Sequence, residues 1–230
     1  MADVHAREAP AGAFRNVFME IAEKADILLI GGDLTQFGLP SEAENLANDL
    51  RDIKIPKLAV LGNHDYDSGN SVEIKKIFRE AGVIFLDDEI FTLGHVGFAG
   101  VKGFGGGFDS HMVTAFGEDA TKNFVAEAVN EALRLENHLA SLSSEKIVVL
   151  LHYSPILETI KNEQSEIAAF LGSSRFAEVI DRFNVAAIFH GHAHHGPHHG
   201  KTAKGAPVYN VALDVLKRHT PDQPYVLITL

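Results

Sequence analysis

Four short apolar runs in this chain are each followed, within a few residues, by side chains that can bind a metal ion. In chain order they are Ile27–Ile30 followed by Asp33, Leu58–Leu61 followed by Asn63, Ile147–Leu151 followed by His152, and Val185–Phe189 followed by His192 and His194. Short apolar runs closed by turn-forming residues are typical of buried strands. In a parallel sheet the carboxyl ends of the strands lie along one edge, where open α/β sheets bind ligands. The sequence therefore predicts one rim that gathers these polar side chains.

Amphipathic helical patterns separate the apolar runs. Apolar residues recur at helical spacing over residues 14–25, 74–81, 124–139 and 176–183. Strand–helix–strand alternation of this kind predicts an α/β fold, with helices packed on the faces of a parallel sheet.

The middle and the end of the chain depart from this alternation. Ile90–Leu93 and Val96–Val101 predict two shorter strands joined by a turn, and Pro207–Val211 and Tyr225–Leu230 predict two final strands. Because the sequence shows no internal repeat and no low-complexity linker, we expect a single domain over residues 1–230.

A Gly-rich insert at about residues 103–118 interrupts the pattern. It carries Phe104, Phe108 and Phe116 among its glycines. One interpretation is a mobile lid whose aromatic rings stack on a nucleobase. The other is that these rings are buried in the core, which we expect for at least one of them.

The polar residues at the strand ends are ambiguous one by one. A single Asp such as Asp33 is more often a turn former, and a single His such as His152 is more often a hydrogen-bonded, half-buried ring. Together they make a donor set that suits Mn, Fe, Zn or Mg. Asp3 and His5 add to it, because side chains two residues apart on an extended segment point the same way.

Composition limits the classes of function. The chain has no cysteine, which excludes disulfides, thiolate metal sites and a cysteine nucleophile. Its formal net charge of −11 and the lack of a basic face argue against an extended nucleic-acid surface, but not against a small anionic substrate bound with cations. No signal peptide and no membrane-spanning run is visible, so we expect a cytoplasmic protein; whether it forms a homo-oligomer is left open.

The ordered motifs resemble those of the calcineurin-like metallophosphoesterases. The matching segments are Asp3-Val4-His5, Gly32-Asp33, Gly62-Asn63-His64-Asp65, His152, and Gly191-His192-Ala193-His194. The resemblance implies a four-layer α/β/β/α sandwich of mixed sheets with helices on the outer faces.

The same resemblance implies a role for each motif residue. By motif position, one metal would be held by Asp3, His5 and His194, and the other by Asn63, His152 and His192. Asp33 would bridge the two metals, and His64 would be catalytic rather than a ligand. The implied cofactors are two divalent ions (Mn, Fe, Zn or Ni), with Mn expected in vitro.

The implied activity is hydrolysis of a small phosphodiester by attack of a metal-bridging hydroxide. A narrower form of this expectation is that the phosphodiester is nucleotide-like. A phosphomonoesterase of the same family is an alternative, and a non-catalytic metal-binding scaffold is another. His111, Phe108 and His195 are candidates for contact with the small phosphorylated substrate, and Asp65 is expected to orient its loop.

One departure from the family concerns the first strand. In the family a full apolar strand precedes the Asp-x-His motif, whereas here only Met1 and Ala2 do. Either this strand is very short or the chain starts inside it. We therefore expect the metal held by Asp3 and His5 to be the more easily lost.

Overall fold

The computed structural model describes all residues, Met1–Leu230, and arranges nine strands in two sheets. The strands are β1 (Leu28–Gly31), β2 (Lys57–Val60), β3 (Val83–Phe85), β4 (Phe91–Leu93), β5 (Val96–Val101), β6 (Lys146–Leu151), β7 (Val185–His190), β8 (His199–Lys201) and β9 (Pro207–Asn210). Every apolar run that ends in a predicted ligand forms a strand, as the sequence predicts.

Seven α-helices complete the fold. They are α1 (Arg15–Lys24), α2 (Pro40–Leu50), α3 (Ser71–Glu80), α4 (Asp119–Ala140), α5 (Ala168–Leu171), α6 (Ser174–Ile180) and α7 (Leu213–His219). None of them is both long enough and apolar enough to cross a membrane.

The first sheet is parallel throughout, in the order β1-β2-β3, with Leu29 paired to Leu58. The second sheet has the order β4-β5-β6-β7-β9-β8. Its four inner strands are parallel and its two edge strands pair antiparallel. The predicted mixed sheet is therefore confirmed.

The two sheets share one core. Leu58 of the first sheet and Val148 and Phe189 of the second belong to the same buried cluster, which also includes Phe18 of α1 and Phe78 of α3. A second cluster packs α4 and α6 on the other face of the six-stranded sheet. Helices, sheet, sheet and helices thus form four layers, and the predicted α/β/β/α sandwich is confirmed.

The segment Met1–Ala6 runs between the sheets without forming a regular strand. Ala2 makes an isolated bridge with Ala212, and Ala6 makes another with Thr35. The amide nitrogens of Asp3 and His5 nevertheless donate to the carbonyls of Gly32 and Asp33, each at 3.0 Å. The start of the chain is therefore tied to the loop after β1 at both predicted ligands.

The predicted final strand over Tyr225–Leu230 is wrong. This segment belongs to neither sheet. Its alternate residues Val226, Ile228 and Leu230 pack on the core, which accounts for the alternating pattern, and the segment lines an apolar cavity of about 640 Å³ beside β1. β3, β8 and α7 were not predicted, because they are short and β8 lies within the His-rich stretch.

A candidate metal centre

The seven predicted ligands meet where strands of both sheets end. Asp33 and Asn63 follow β1 and β2 of the first sheet, whereas His152 and His192 follow β6 and β7 of the second. The rim is therefore shared by two sheets instead of one. The groups whose potential ligand atoms lie within 4.8 Å of one another are Asp3 with His5 and His194, His5 with Asp33 and His64, and Asp33 with His152 and His192.

Asp33 lies between two of these groups. Its Oδ1 is 3.4 Å from Nε2 of His152, and its Oδ2 is 3.7 Å from Nε2 of His5. The carboxylate is 1% exposed. Each of its oxygens thus faces a different group of histidines, as a bridging ligand requires.

His152 and Asn63 present electron pairs to each other. Nδ1 of His152 lies 3.0 Å from the carbonyl of Gly31 and must carry the hydrogen, since a carbonyl only accepts. The unprotonated Nε2 then faces Oδ1 of Asn63 at 2.9 Å. Two acceptors at this distance are reconciled by a cation that binds both.

His192 and His194 use different ring nitrogens. Nε2 of His192 donates to the carbonyl of Phe170 at 3.2 Å, which leaves Nδ1 free for a ligand. Nε2 of His194 lies 2.9 Å from Oδ1 of Asp3, while its Nδ1 faces Asp214 at 3.4 Å. Asp214 orients His194 from behind, as partners of metal-binding histidines do. Asp214 belongs to no motif, so the sequence alone does not point to it.

His5 gives the clearest sign that the site fits a cation. Both of its ring nitrogens are buried, and neither has a hydrogen-bond partner. A buried polar atom without a partner is costly. Nε2 of His5 lies 3.9 Å from Asp3 and 3.7 Å from Asp33. A divalent cation among these atoms would satisfy the ring, and carboxylate with imidazole suits such ions.

The pKa values of the site also favour the binding of a cation. Burial lowers the pKa of His152 to about 3 and that of His5 to about 4, so both rings are neutral at pH 7, as metal ligands must be. Burial raises the pKa of Asp33, and the carboxylates of Asp3 and Asp65 raise it further. A cation bound between the two aspartates would relieve that repulsion.

Backbone conformation singles out the same residues. Five non-glycine residues have positive φ, and four of them are Asp3 (57°), His5 (47°), Asp33 (47°) and His192 (67°). The left-handed region costs an ordinary residue about 1–2 kcal/mol, and such strain concentrates at functional sites. The prediction of an extended Asp3–His5 segment is therefore wrong. The two side chains reach one site from left-handed backbone.

Two glycines allow the chain segments to approach this closely. A Cβ at Gly62 would lie 2.1 Å from Oδ1 of Asp33, and a Cβ at Gly191 would lie 2.2 Å from Oδ2 of Asp3. Both distances are far below van der Waals contact. Any side chain at either position would therefore displace a predicted ligand.

Asp65 holds the loops after β1 and β2 together. It is fully buried and accepts hydrogen bonds from the amides of Leu34, Thr35 and Gly62 at 2.9–3.2 Å, and from Oγ1 of Thr35 at 2.6 Å. Its contacts agree with the orienting role expected for it.

His64 is placed beside the predicted ligands with one nitrogen already bonded. Its Nδ1 donates to the carbonyl of Gln36 at 2.7 Å, and its amide donates to Oδ1 of Asp33 at 2.9 Å. Its ring meets that of His5 edge-on at 4.7 Å. Nε2 is therefore the nitrogen that remains for a substrate, and the side chain is 32% exposed.

The predicted substrate contacts lie in different surroundings. Phe108 is 3% exposed and packs on Ala193, so it supports the loop that carries His192. His111 is exposed near the tip of the insert, and His195 is exposed beside Glu163. The burial expected for at least one phenylalanine of the insert is confirmed, and contact of Phe108 with a substrate would require the insert to open.

Two aromatic residues near the site were missed by the sequence analysis. The ring of Tyr153 lies 4.4 Å from that of His192. Phe170, whose carbonyl accepts the hydrogen bond from His192, is 60% exposed. The position of Tyr153 directly after His152 was an available signal, whereas Phe170 carries none.

Comparison with known proteins agrees with this geometry. A family model described as calcineurin-like phosphoesterase matches residues 1–196. Two relatives are each named probable cyclic nucleotide phosphodiesterase. That of Vesicomyosocius okutanii subsp. Calyptogena okutanii (strain HA) is 25% identical and that of Ruthia magnifica subsp. Calyptogena magnifica is 27% identical, each over 171 residues. The matches cover 74% of this chain but only 62% of each relative.

A solved structure is similar over the whole chain. The phosphopantetheinyl hydrolase of Mycobacterium tuberculosis superposes with a TM-score of 0.69, covering 100% of this chain and 95% of that protein. The sequence identity is 15%, so the similarity concerns the fold alone.

Proposed function

Since the chain belongs to the calcineurin-like phosphoesterase family, and is thus a phosphoric ester hydrolase, we propose that it hydrolyses a small phosphodiester with two divalent cations bound. In the narrower form of the proposal the diester is nucleotide-like. The names of the two relatives favour the diester. The matched region covers less than two thirds of each relative.

One observation carries the proposal: Asp33 faces two separate groups of ligands with its two carboxylate oxygens. The first group is Asp3, His5 and His194, and the second is Asn63, His152 and His192. A set of seven donors with a carboxylate in the middle is more than one cation needs, and it suits a pair.

When bound, the cations would neutralise phosphoryl charge and activate a water molecule as nucleophile. The chain's own residues would do the rest. Asn63 would add a neutral oxygen, so it would not reduce the positive charge that the cations bring to the site. His64, whose Nδ1–H is held by the carbonyl of Gln36, would in its imidazolium form donate the proton on Nε2 to the leaving oxygen and become the neutral ring.

A comparison of two chromogenic esters tests the proposal. With manganese added, we expect kcat/KM for the diester bis-p-nitrophenyl phosphate to exceed that for the monoester p-nitrophenyl phosphate by about tenfold or more, and chelation to abolish both activities. Faster cleavage of the monoester would favour the phosphomonoesterase. No cleavage of either ester by metal-loaded protein would contradict hydrolysis and favour the scaffold.

A further inference from the structure

A buried polar cluster lies behind the loops that carry His152 and His192. Its members are Ser154, Thr159 and His190, and each has an exposed fraction of 0%. None of them is a predicted ligand or a predicted catalytic residue. Burying a polar group is costly unless it is hydrogen-bonded, so the hydrogen bonds of this cluster indicate what it does.

The hydrogen bonds of the cluster connect its three side chains in series. Nδ1 of His190 donates to the carbonyl of Gly191 at 2.8 Å, so Nε2 of the neutral ring is an acceptor. Oγ1 of Thr159 donates to that Nε2 at 2.8 Å. Oγ1 of Thr159 also lies 2.8 Å from Oγ of Ser154, whose hydroxyl is 2.9 Å from the carbonyl oxygen of Ile156 as well. We call this series of hydrogen-bonded side chains, from Ser154 through Thr159 to His190, the hydroxyl relay.

The hydroxyl relay joins two ligand-bearing loops. Ser154 is two residues after His152, and His190 is two residues before His192. The rings of His152 and His192 lie 5.0 Å apart. The relay thus connects the chain segments of His152 and His192, which belong to the same potential ligand group as Asp33. It adds a side-chain connection to the hydrogen bond from the amide of Gly191 to the carbonyl of His152 at 3.0 Å, and Thr159 is its middle member.

The loop held by the relay is under backbone strain. His192 has a left-handed φ of 67°, a conformation that persists only where the surroundings fix it. On the far side of the loop, Nδ2 of Asn210 donates to the carbonyl of Ala193 at 2.7 Å. His192 is therefore fixed from both directions, by His190 before it and by Asn210 after it.

We infer that the hydroxyl relay, together with the backbone bond between Gly191 and His152, sets the spacing of His152 and His192, and that Thr159 is a positioning residue for the cation these two histidines would share. The inference rests on the proposed function only in requiring that the site binds cations. Partners that orient metal ligands without touching the metal typically change affinity by about 10–100-fold when they are removed.

Replacing Thr159 by valine tests the inference, since valine keeps the shape and removes the hydroxyl. We expect Thr159→Val to weaken one of two manganese-binding steps by about 10–100-fold in competition with a chromophoric chelator. The other step should be unchanged, and Thr159→Ser should restore the first. In the metal-free protein, the imidazole ¹⁵N resonances of His190 should show hydrogen on Nδ1 and should shift in Thr159→Val.

Thr202→Val is a matched control for the loss of a buried hydroxyl. Thr202 is 5% exposed and its Oγ1 donates to Asp181, after edge strand β8 and outside the ligand loops. We expect this variant to keep both binding steps. Ser154→Ala removes only the far end of the relay and should give a smaller loss in the same step, which keeps the test open if Thr159→Val does not fold.

Two results would overturn the inference. One is unchanged binding of both cations by Thr159→Val or, where that variant is unfolded, by Ser154→Ala. The other is an equal loss of affinity in Thr202→Val. If the unaltered protein binds no cation, the proposed function itself fails. If it binds two and the relay variants also bind two with full affinity, only the relay is wrong.

Discussion

Replacing His64 by alanine is expected to lower kcat for the preferred ester by about 10²–10⁴-fold, while the metal content stays unchanged. The reason is that His64 lies beside the ligands without being needed as one. Its Nδ1–H is bonded to Gln36, so the proton available to the leaving oxygen is the one that Nε2 carries in the imidazolium form. Turnover measured together with elemental analysis of the purified variant checks both parts of the prediction.

His138→Ala is the matched control for this experiment. Nδ1 of His138 also faces a backbone carbonyl, that of Gly100 at 3.2 Å, but the residue lies on α4. We expect its loss to leave kcat unchanged. Equal turnover of His64→Ala and the unaltered protein would remove His64 from the mechanism, and loss of metal from His64→Ala would make it a ligand instead.

Replacing Asp33 by asparagine should disturb both cations at once and reduce activity to background. The substitution replaces one of the two carboxylate oxygens by an amide nitrogen and removes the charge between His5 and His152. We expect the affinity of each site to fall by more than the roughly 100-fold that loss of a supporting partner costs. Titration with manganese, followed by elemental analysis, measures both sites.

The metal-free variant provides an internal check on folding. Burial and neighbouring carboxylates raise the pKa of Asp33, so a neutral amide should be at least as stable there as the carboxylate when no metal is bound. If Asp33→Asn loses metal but keeps its thermal unfolding transition, the loss is therefore caused by the missing ligand and not by unfolding. Asp181→Asn, at the surface loop bonded by Thr202, should bind metal normally. Two cations retained by Asp33→Asn would show that Asp33 does not bridge.

The strand ends could be predicted because they follow from one rule of chain geometry. Parallel strands direct their carboxyl ends to a common edge, so Asp33, Asn63, His152 and His192 were expected to converge without any knowledge of the helices between them. The rule does not say how many sheets contribute. The structure divides these four residues between two sheets whose rims meet.

Other features of the site depend on contacts that no local pattern encodes. Which nitrogen of His192 is free depends on the carbonyl of Phe170, a residue from a distant segment. The left-handed backbone of Asp3 and His5 is fixed by hydrogen bonds to the loop after β1. Helix α7, which brings Asp214 to His194, is too short to show a clear period.

The weaker metal predicted from the short first strand remains a prediction. The structure gives it a physical basis different from poor anchoring, because Asp3 is 3% exposed and bonded through its backbone. His5 is the predicted ligand whose two ring nitrogens have no hydrogen-bond partner in the protein. We expect the site of Asp3, His5 and His194 to bind its cation less tightly for that reason.

Anomalous diffraction from crystals of the manganese-loaded protein would locate the cations themselves. We expect two peaks, each in contact with Asp33. One peak should be enclosed by Asp3, His5 and His194, and the other by Asn63, His152 and His192. A single peak, or peaks away from these side chains, would show that the protein does not hold a pair of cations at Asp33.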